Sequence, residues 1–217
     1  MNEKHSYTIL QNDMLLNIRK PITAHTNEIW LMLHGWTGDE HSMDSFWHYI
    51  PESALIIAPR APLPASPNGY GWANIKDAMF PDYESFLPAV DKLLSVLLFF
   101  LKENNLEHLK INLFGFSQGS AVSYMLSSLI PDKIELVIPV AGFMPDGTLN
   151  HLSNLPNRSL RFNVYHGAMD KLVPVTMAKE IVSDLQKLGY DPQLCVDEKA
   201  GHKFGTSCIE HLKSILN

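Results

Sequence analysis

Residues 110–129 read K-I-N-L-F-G-F-S-Q-G-S-A-V-S-Y-M-L-S-S-L, and this stretch decides the fold. The apolar run Lys110–Phe114 predicts a strand, Ser117–Leu129 carries a helical pattern, and G-F-S-Q-G (Gly115–Gly119) joins them. A strand that turns at once into a helix through G-x-S-x-G holds its serine on a sharp, exposed bend. The reason is steric. Glycine on either side lets strand and helix approach closely, and the serine occupies a strained turn. Its hydroxyl then stands at a helix N-terminus, which favours negative charge. An ordinary turn with a serine cap shares the five letters but has no need of both flanking elements.

Working outward, strands and helices alternate. Ser6–Leu10 and Met14–Arg19, separated by Gln11-Asn12-Asp13, predict an antiparallel hairpin. Glu28–Leu33 and Ala54–Ala58 are near-continuous apolar runs, as expected of strands buried on both faces. Arg60 to Pro81 mixes Pro62, Pro64, Pro67 and Pro81 with Gly69 and Gly71 and predicts a long irregular loop. Asp82 caps a predicted helix to about Glu103. Further strands are expected at Glu135–Val140, Leu160–Tyr165 and Gln193–Val196, with helices over Thr176–Leu188 and Phe204–Leu216. Pro139 cannot donate to a ladder, so a bulge or an early strand end is expected there. The alternation predicts one α/β domain over residues 1–217, its mostly parallel twisted sheet covered by helices on both faces.

Composition narrows the function. The 217-residue chain is 46% hydrophobic and 18% charged, as globular proteins are. A net charge of -6 without a dense Lys/Arg run argues against a nucleic-acid partner. The longest apolar-rich run, Leu93 to Leu101, is far short of the roughly 20 residues of a membrane span. Met1–Ser6 has no signal-peptide pattern, and Cys195 and Cys208 read as thiols of a reducing compartment, so a cytoplasmic location is expected. The oligomeric state stays open, a homodimer included.

A serine hydroxyl needs a base, and the base an orienting acid. Asp170, in the loop after Leu160–Tyr165, and His202, in the loop after Gln193–Val196, follow Ser117 in the order this architecture uses. Asp146 is the main rival acid, and Asp39 lies too near the first central strand. His34 and His166 end strands beside glycine and are expected to make structural hydrogen bonds. His5, His25, His41, His48, His108, His151 and His211 read as solvated. No metal-ligand spacing appears, and no cofactor is expected. The backbone N–H groups of Trp36, in H-G-W-T-G (His34–Gly38), and of Gln118 are the candidate oxyanion donors. Trp36, Tyr70, Trp72, Phe80, Phe143 and Met144 are the candidate walls of an apolar pocket for a small-molecule ester substrate.

L-H-G-W-T-G-D (Leu33–Asp39), A-P-R-A-P (Ala58–Pro62), G-F-S-Q-G, H-G-A-M-D-K-L-V-P (His166–Pro174) and G-H (Gly201–His202) stand in the order seen in the phospholipase/carboxylesterase family. The chain resembles that family, which includes acyl-protein thioesterases and borders on dienelactone hydrolases. The resemblance implies an α/β-hydrolase fold without a large cap, the catalytic set Ser117, Asp170 and His202, and an oxyanion hole from Trp36 and Gln118. It implies a serine esterase, with a thioesterase as the alternative. A binding module that merely kept the fold would not need all three residues. Two departures bear on acyl preference: tryptophan at position 36, where such thioesterases usually carry leucine, and the loosely similar Gly69–Trp72 loop. Serine at 117 argues against dienelactone hydrolysis itself.

Overall fold

The computed structural model describes residues 6–22, 26–75 and 80–216. The N-terminal Met1–His5 segment, and the expectations for His5 and His25, lie outside the described residues.

The sheet begins with β1 (Ser6–Gln11) and β2 (Met14–Arg19), antiparallel and joined by two residues. Asn12 and Asp13 there have φ of 47° and 60°, a left-handed pair that short polar side chains tolerate and that matches the twist of a hairpin. Then come β3 (Ile29–Leu33), β4 (Leu55–Pro59) and a separate two-stranded ribbon, β5 (Leu63–Pro64) with β6 (Tyr70–Gly71). The last strands are β7 (Ile111–Phe116), β8 (Ile134–Val140), β9 (Arg161–Gly167) and β10 (Gln193–Asp197). The eight-stranded sheet runs β1-β2-β4-β3-β7-β8-β9-β10. It is parallel from β4 to β10 and antiparallel only along the hairpin edge. This is the α/β-hydrolase arrangement expected from the sequence.

The strands are apolar throughout because both faces are covered. Ile29, Leu31 and Leu33 face one core with Ile111 and Leu113; Trp30 and Met32 face the other with Phe114, the period of two that a pleated strand imposes. Helices α1 (Tyr83–Glu103), α2 (Gln118–Leu129) and α4 (Val175–Lys187) feed the first core. Cys208 and Leu212 of α5 (Thr206–Leu216) feed the second. Asp82 caps α1 as expected, its carboxylate accepting the Ser85 N–H at 2.9 Å. Gly189, with φ +87°, closes α4: its N–H reaches Gln186 O at 2.9 Å and that of Tyr190 reaches Leu185 O at 3.1 Å.

Several elements differ from expectation, among them the β5–β6 ribbon inside the expected irregular loop and a short helix over Asp44–Tyr49. Pro139 neither ends nor bulges β8, which continues to Val140; the register shift lies instead opposite Ile111 and Asn112. Pairing with β9 lapses between Val137↔Phe162 and Val140↔Tyr165, so the missing N–H falls on that side, and the Ala141 N–H resumes the contact at Tyr165 O, 2.9 Å away. A helix α3 (Thr148–Ser153) was not foreseen: it starts from Gly147 without a side-chain cap, so no start signal marks it.

Because β3, β7, β9 and β10 are parallel, the loops leaving their carboxyl ends share one rim of the sheet.

Candidate active site

Ser117 stands between β7 and α2 with φ 53° and ψ −115°, outside the regions a serine prefers. The bend is held because its surroundings permit no other path. The Ser117 N–H donates to Val140 O at 2.9 Å. The buried Ser120 hydroxyl accepts from the Val140 N–H at 3.0 Å and lies 2.8 Å from Gly115 O. A Cβ at Gly115 would fall 2.2 Å from Gly119 O, and one at Gly119 would fall 2.0 Å from Leu33 O. The two glycines are there for close approach.

Asp170 and His202 arrive on neighbouring loops that are tied together. Ala168 N–H donates to Asp197 O and Met169 N–H to Ala200 O, each at 2.9 Å. Asp170 Oδ1 accepts the N–H groups of Leu172 and Val173, both at 2.9 Å, which fixes the carboxylate. Its Oδ2 accepts from His202 Nδ1 at 2.7 Å, and His202 Nε2 lies 3.1 Å from Ser117 Oγ. With the proton on Nδ1, Nε2 is left to accept the hydroxyl proton. The Phe116 ring, 5.1 Å from the imidazole between centroids, walls one side of it. Asp146, the rival acid, is exposed and borders a separate depression with Met144.

His34 and His166 do make structural bonds. His34 Nδ1–H donates to Gly35 O at 2.7 Å and its Nε2 accepts the Ala61 N–H at 3.0 Å. His166 Nε2–H donates to Val173 O at 2.8 Å. Burial holds both imidazoles below the usual histidine value, the hydrogen bonds to backbone carbonyls opposing it. As pH falls, the unfolded chain therefore takes up protons first. The stability from keeping these rings neutral is complete above about pH 6.5 and is lost as pH drops toward the depressed values. The urea midpoint is expected to fall steadily between pH 7 and pH 5; a flat midpoint there would contradict this assignment. Among the remaining histidines, His41, His48, His108 and His151 are exposed. His211 is a correction: it is half-buried, and its Nδ1 lies 2.9 Å from the Tyr165 hydroxyl, a partner only the fold supplies.

The turn after β3 brings Trp36 beside Gln118. Among the described residues neither backbone N–H has an acceptor, and both residues line the cleft over Ser117. The turn is braced from behind. Trp72 Nε1–H donates to His34 O at 2.9 Å, and the Tyr70 N–H to Gly38 O at 2.8 Å. Arg60 reaches Glu40 through Nε at 2.5 Å and Nη2 at 2.6 Å, and its guanidinium sits 4.5 Å from the Tyr70 ring centroid. The Gln118 side chain, invisible to sequence reasoning, clamps the same loop: Oε1 accepts the Trp72 N–H at 2.9 Å and Nε2 donates to Ala73 O at 2.9 Å.

A cleft of about 510 Å³ opens over Ser117 and His202. Trp36, Phe80 and Phe143 line it as expected, joined by Ile75, Phe116, Leu172 and Val173. Tyr70, Trp72 and Met144 do not. Trp72 is fully buried in the core, because its indole N–H and ring both find partners there. Tyr70 is held behind the turn by Arg60, and Met144 borders the depression with Asp146. No group of three His, Cys, Asp or Glu among the described residues is placed to hold a metal ion. No described helix is long and apolar enough to cross a membrane.

The phospholipase/carboxylesterase family profile matches residues 15–217. The chain is similar to acyl-protein thioesterase 1 of Debaryomyces hansenii, at 30% identity over 149 residues, 64% of each chain. It is also similar to acyl-protein thioesterase 1 homolog 2 of Dictyostelium discoideum, at 29% identity over 126 residues, 54% of this chain and 56% of that one. The matches thus span less than two thirds of either relative's length. The Bacillus cereus carboxylesterase structure superposes with a TM-score of 0.81 at 16% identity, covering 94% of both chains, a likeness of fold.

Proposed function

The chain belongs to the phospholipase/carboxylesterase family, and from that premise we propose that it is a serine hydrolase cleaving carboxylic esters of small molecules through an acyl-enzyme on Ser117. The observation that carries this reading is the unbroken relay from Ser117 Oγ through His202 to Asp170, at 3.1 Å and 2.7 Å, on the floor of an apolar cleft.

The chemistry follows from the geometry. Ser117 Oγ attacks the carbonyl carbon as its proton passes to His202 Nε2, and Asp170 faces the resulting imidazolium. The carbonyl oxygen, now negative, receives the N–H groups of Trp36 and Gln118. The intermediate collapses: the bond to the leaving oxygen breaks, and that oxygen takes the proton from His202 Nε2. Water then attacks the acyl carbon, giving a proton to His202. The acyl–Oγ bond breaks, the acid departs, and Ser117 recovers its proton. The same steps cleave a thioester, with sulfur as the leaving atom; the thioesterase names of the two relatives favour that second reading. We further propose that residues 1–217 work as one domain. The unpaired Cys195 and Cys208 support a cytoplasmic setting.

A screen of acyl chains from two to sixteen carbons, as matched oxygen and sulfur esters, tests the proposal. The expected optimum is a short to medium acyl oxygen ester, since the cleft volume is that of a small-ligand site. An optimum on long-chain thioesters would transfer the assignment to the second reading, and no turnover of any member would overturn both.

A further inference from the structure

The cleft over Ser117 has a neighbour. A second lobe of about 350 Å³ shares Gly35, Trp36, Thr37 and Phe116 with it and is completed by Ser42, Met43, Phe46, Phe204 and Lys203. Among the described residues no carboxylate lines either lobe, and the fixed charges are Lys171 in the first and Lys203 in the second. The chain carries 23 acidic against 17 basic residues, so lysines without an acid among the described lining residues run against its own composition. Asp39, close in sequence, is bonded to the Ser42 hydroxyl and the His41 N–H and does not line the lobe.

Proton transfer decides which part of a substrate each lobe receives. The leaving atom must meet the proton on His202 Nε2, so the leaving group extends toward the His202 side of Ser117. Lys203 follows His202 in the chain, and Phe116, which packs against the imidazole, is shared by both lobes. The first lobe, walled by Ile75, Phe80, Phe143 and Leu172, offers apolar surface for the acyl chain. Resting on the hydrolase reading above, we infer that the second lobe holds the alcohol or thiol portion of the substrate and that Lys203 selects one bearing a negative charge. Lys203 is then a specificity-determining residue. Phe46 and Phe204 face the body of the leaving group, and the ammonium faces its anionic end.

Two esters that differ only in charge test this: 4-(carboxymethyl)phenyl butanoate and the corresponding primary amide, whose methylene spacer keeps the reactivity of the two phenols alike. The readout is the ratio of kcat/KM for anionic over neutral ester within each protein, so a general loss of folded enzyme cancels. The full chain is expected to favour the anionic ester about fivefold at low salt, the effect of one exposed charge pair. That ratio should shrink in 0.5 M salt, as screening requires. It should fall to about one in Lys203→Gln and invert in Lys203→Glu. A ratio near one in the unaltered protein, or a preference that survives Lys203→Gln, overturns the Lys203 assignment alone. So does a preference lost in Lys171→Gln and kept in Lys203→Gln, which would put the anion in the first lobe. Failure to hydrolyse either ester by a protein that cleaves other members of the acyl screen overturns this inference alone, and failure on the whole screen overturns the hydrolase reading with it.

Discussion

Ser117→Ala is expected to lower kcat/KM on a p-nitrophenyl butanoate substrate by about ten-thousandfold or more, which corresponds to about 5 kcal/mol of lost transition-state stabilisation. The size follows from what the hydroxyl does in the proposed reaction: it forms the covalent bond, and no neighbouring group can replace it. Stability should barely change. The side chain contributes one hydrogen bond, to His202 at 3.1 Å, and alanine meets the same backbone strain at φ 53° as serine does, so a shift within about 1 kcal/mol is expected. Kinetics on the purified variant and a urea titration of the same sample check the two halves together. Retention of more than about a tenth of the activity, with the fold intact, would remove Ser117 from the mechanism. Loss of activity with a collapsed urea transition would leave the loss to unfolding.

Gly119→Ala should damage both properties at once. The added Cβ would lie 2.0 Å from Leu33 O, 2.6 Å from Leu33 C and 2.8 Å from His34 O. All three are backbone atoms of β3 and its exit, so no side chain can swing aside, and α2 must part from the strand by about 1 Å. Overpacking of this kind costs about 3 kcal/mol or more where both partners are rigid. The displacement also separates the two candidate oxyanion donors, since Gln118 moves with α2 and Trp36 stays with the turn after β3. A misplacement of that size costs about a hundredfold in rate. A lowered urea midpoint together with a lowered kcat in the surviving folded fraction is the expected pair. Wild-type stability would mean that the helix and strand are less tightly seated than the structure has them.

These two residues also mark how much a single sequence discloses. The alternation of strands and helices was legible because both sheet faces are covered, which leaves unbroken apolar runs such as Ile29–Leu33 and Leu55–Pro59. The elbow was legible because its glycines answer a local steric demand. Ser117, Asp170 and His202 were singled out from their places after the parallel strands β7, β9 and β10, and the structure brings their side chains within hydrogen-bonding range. What escaped depends on partners far away in the chain. Trp72, between glycine and alanine in an irregular loop, reads as a wall of the substrate pocket; only the proximity of His34 O makes it a core residue. The clamp by the Gln118 side chain and the pairing of Arg60 with Glu40 leave no spacing signal, since both reach into loops with no repeat. Pro139 misled because the rule for proline concerns one side of a strand, and which side carries the gap is decided by the neighbour.

In the proposed reaction Gln118 contributes its main-chain amide to one task, while its carboxamide serves another, the tethering of Trp72 and Ala73. The rate of that reaction and the seating of the loop carrying Trp72 and Ala73 are therefore mechanically linked at that position, and an engineer cannot tune one from it without disturbing the other. Ile75, Phe80 and Leu172 line the cavity without a side-chain hydrogen bond to Ser117, Asp170 or His202, which makes their side chains the places where selectivity can be rewritten while the chemistry is left alone.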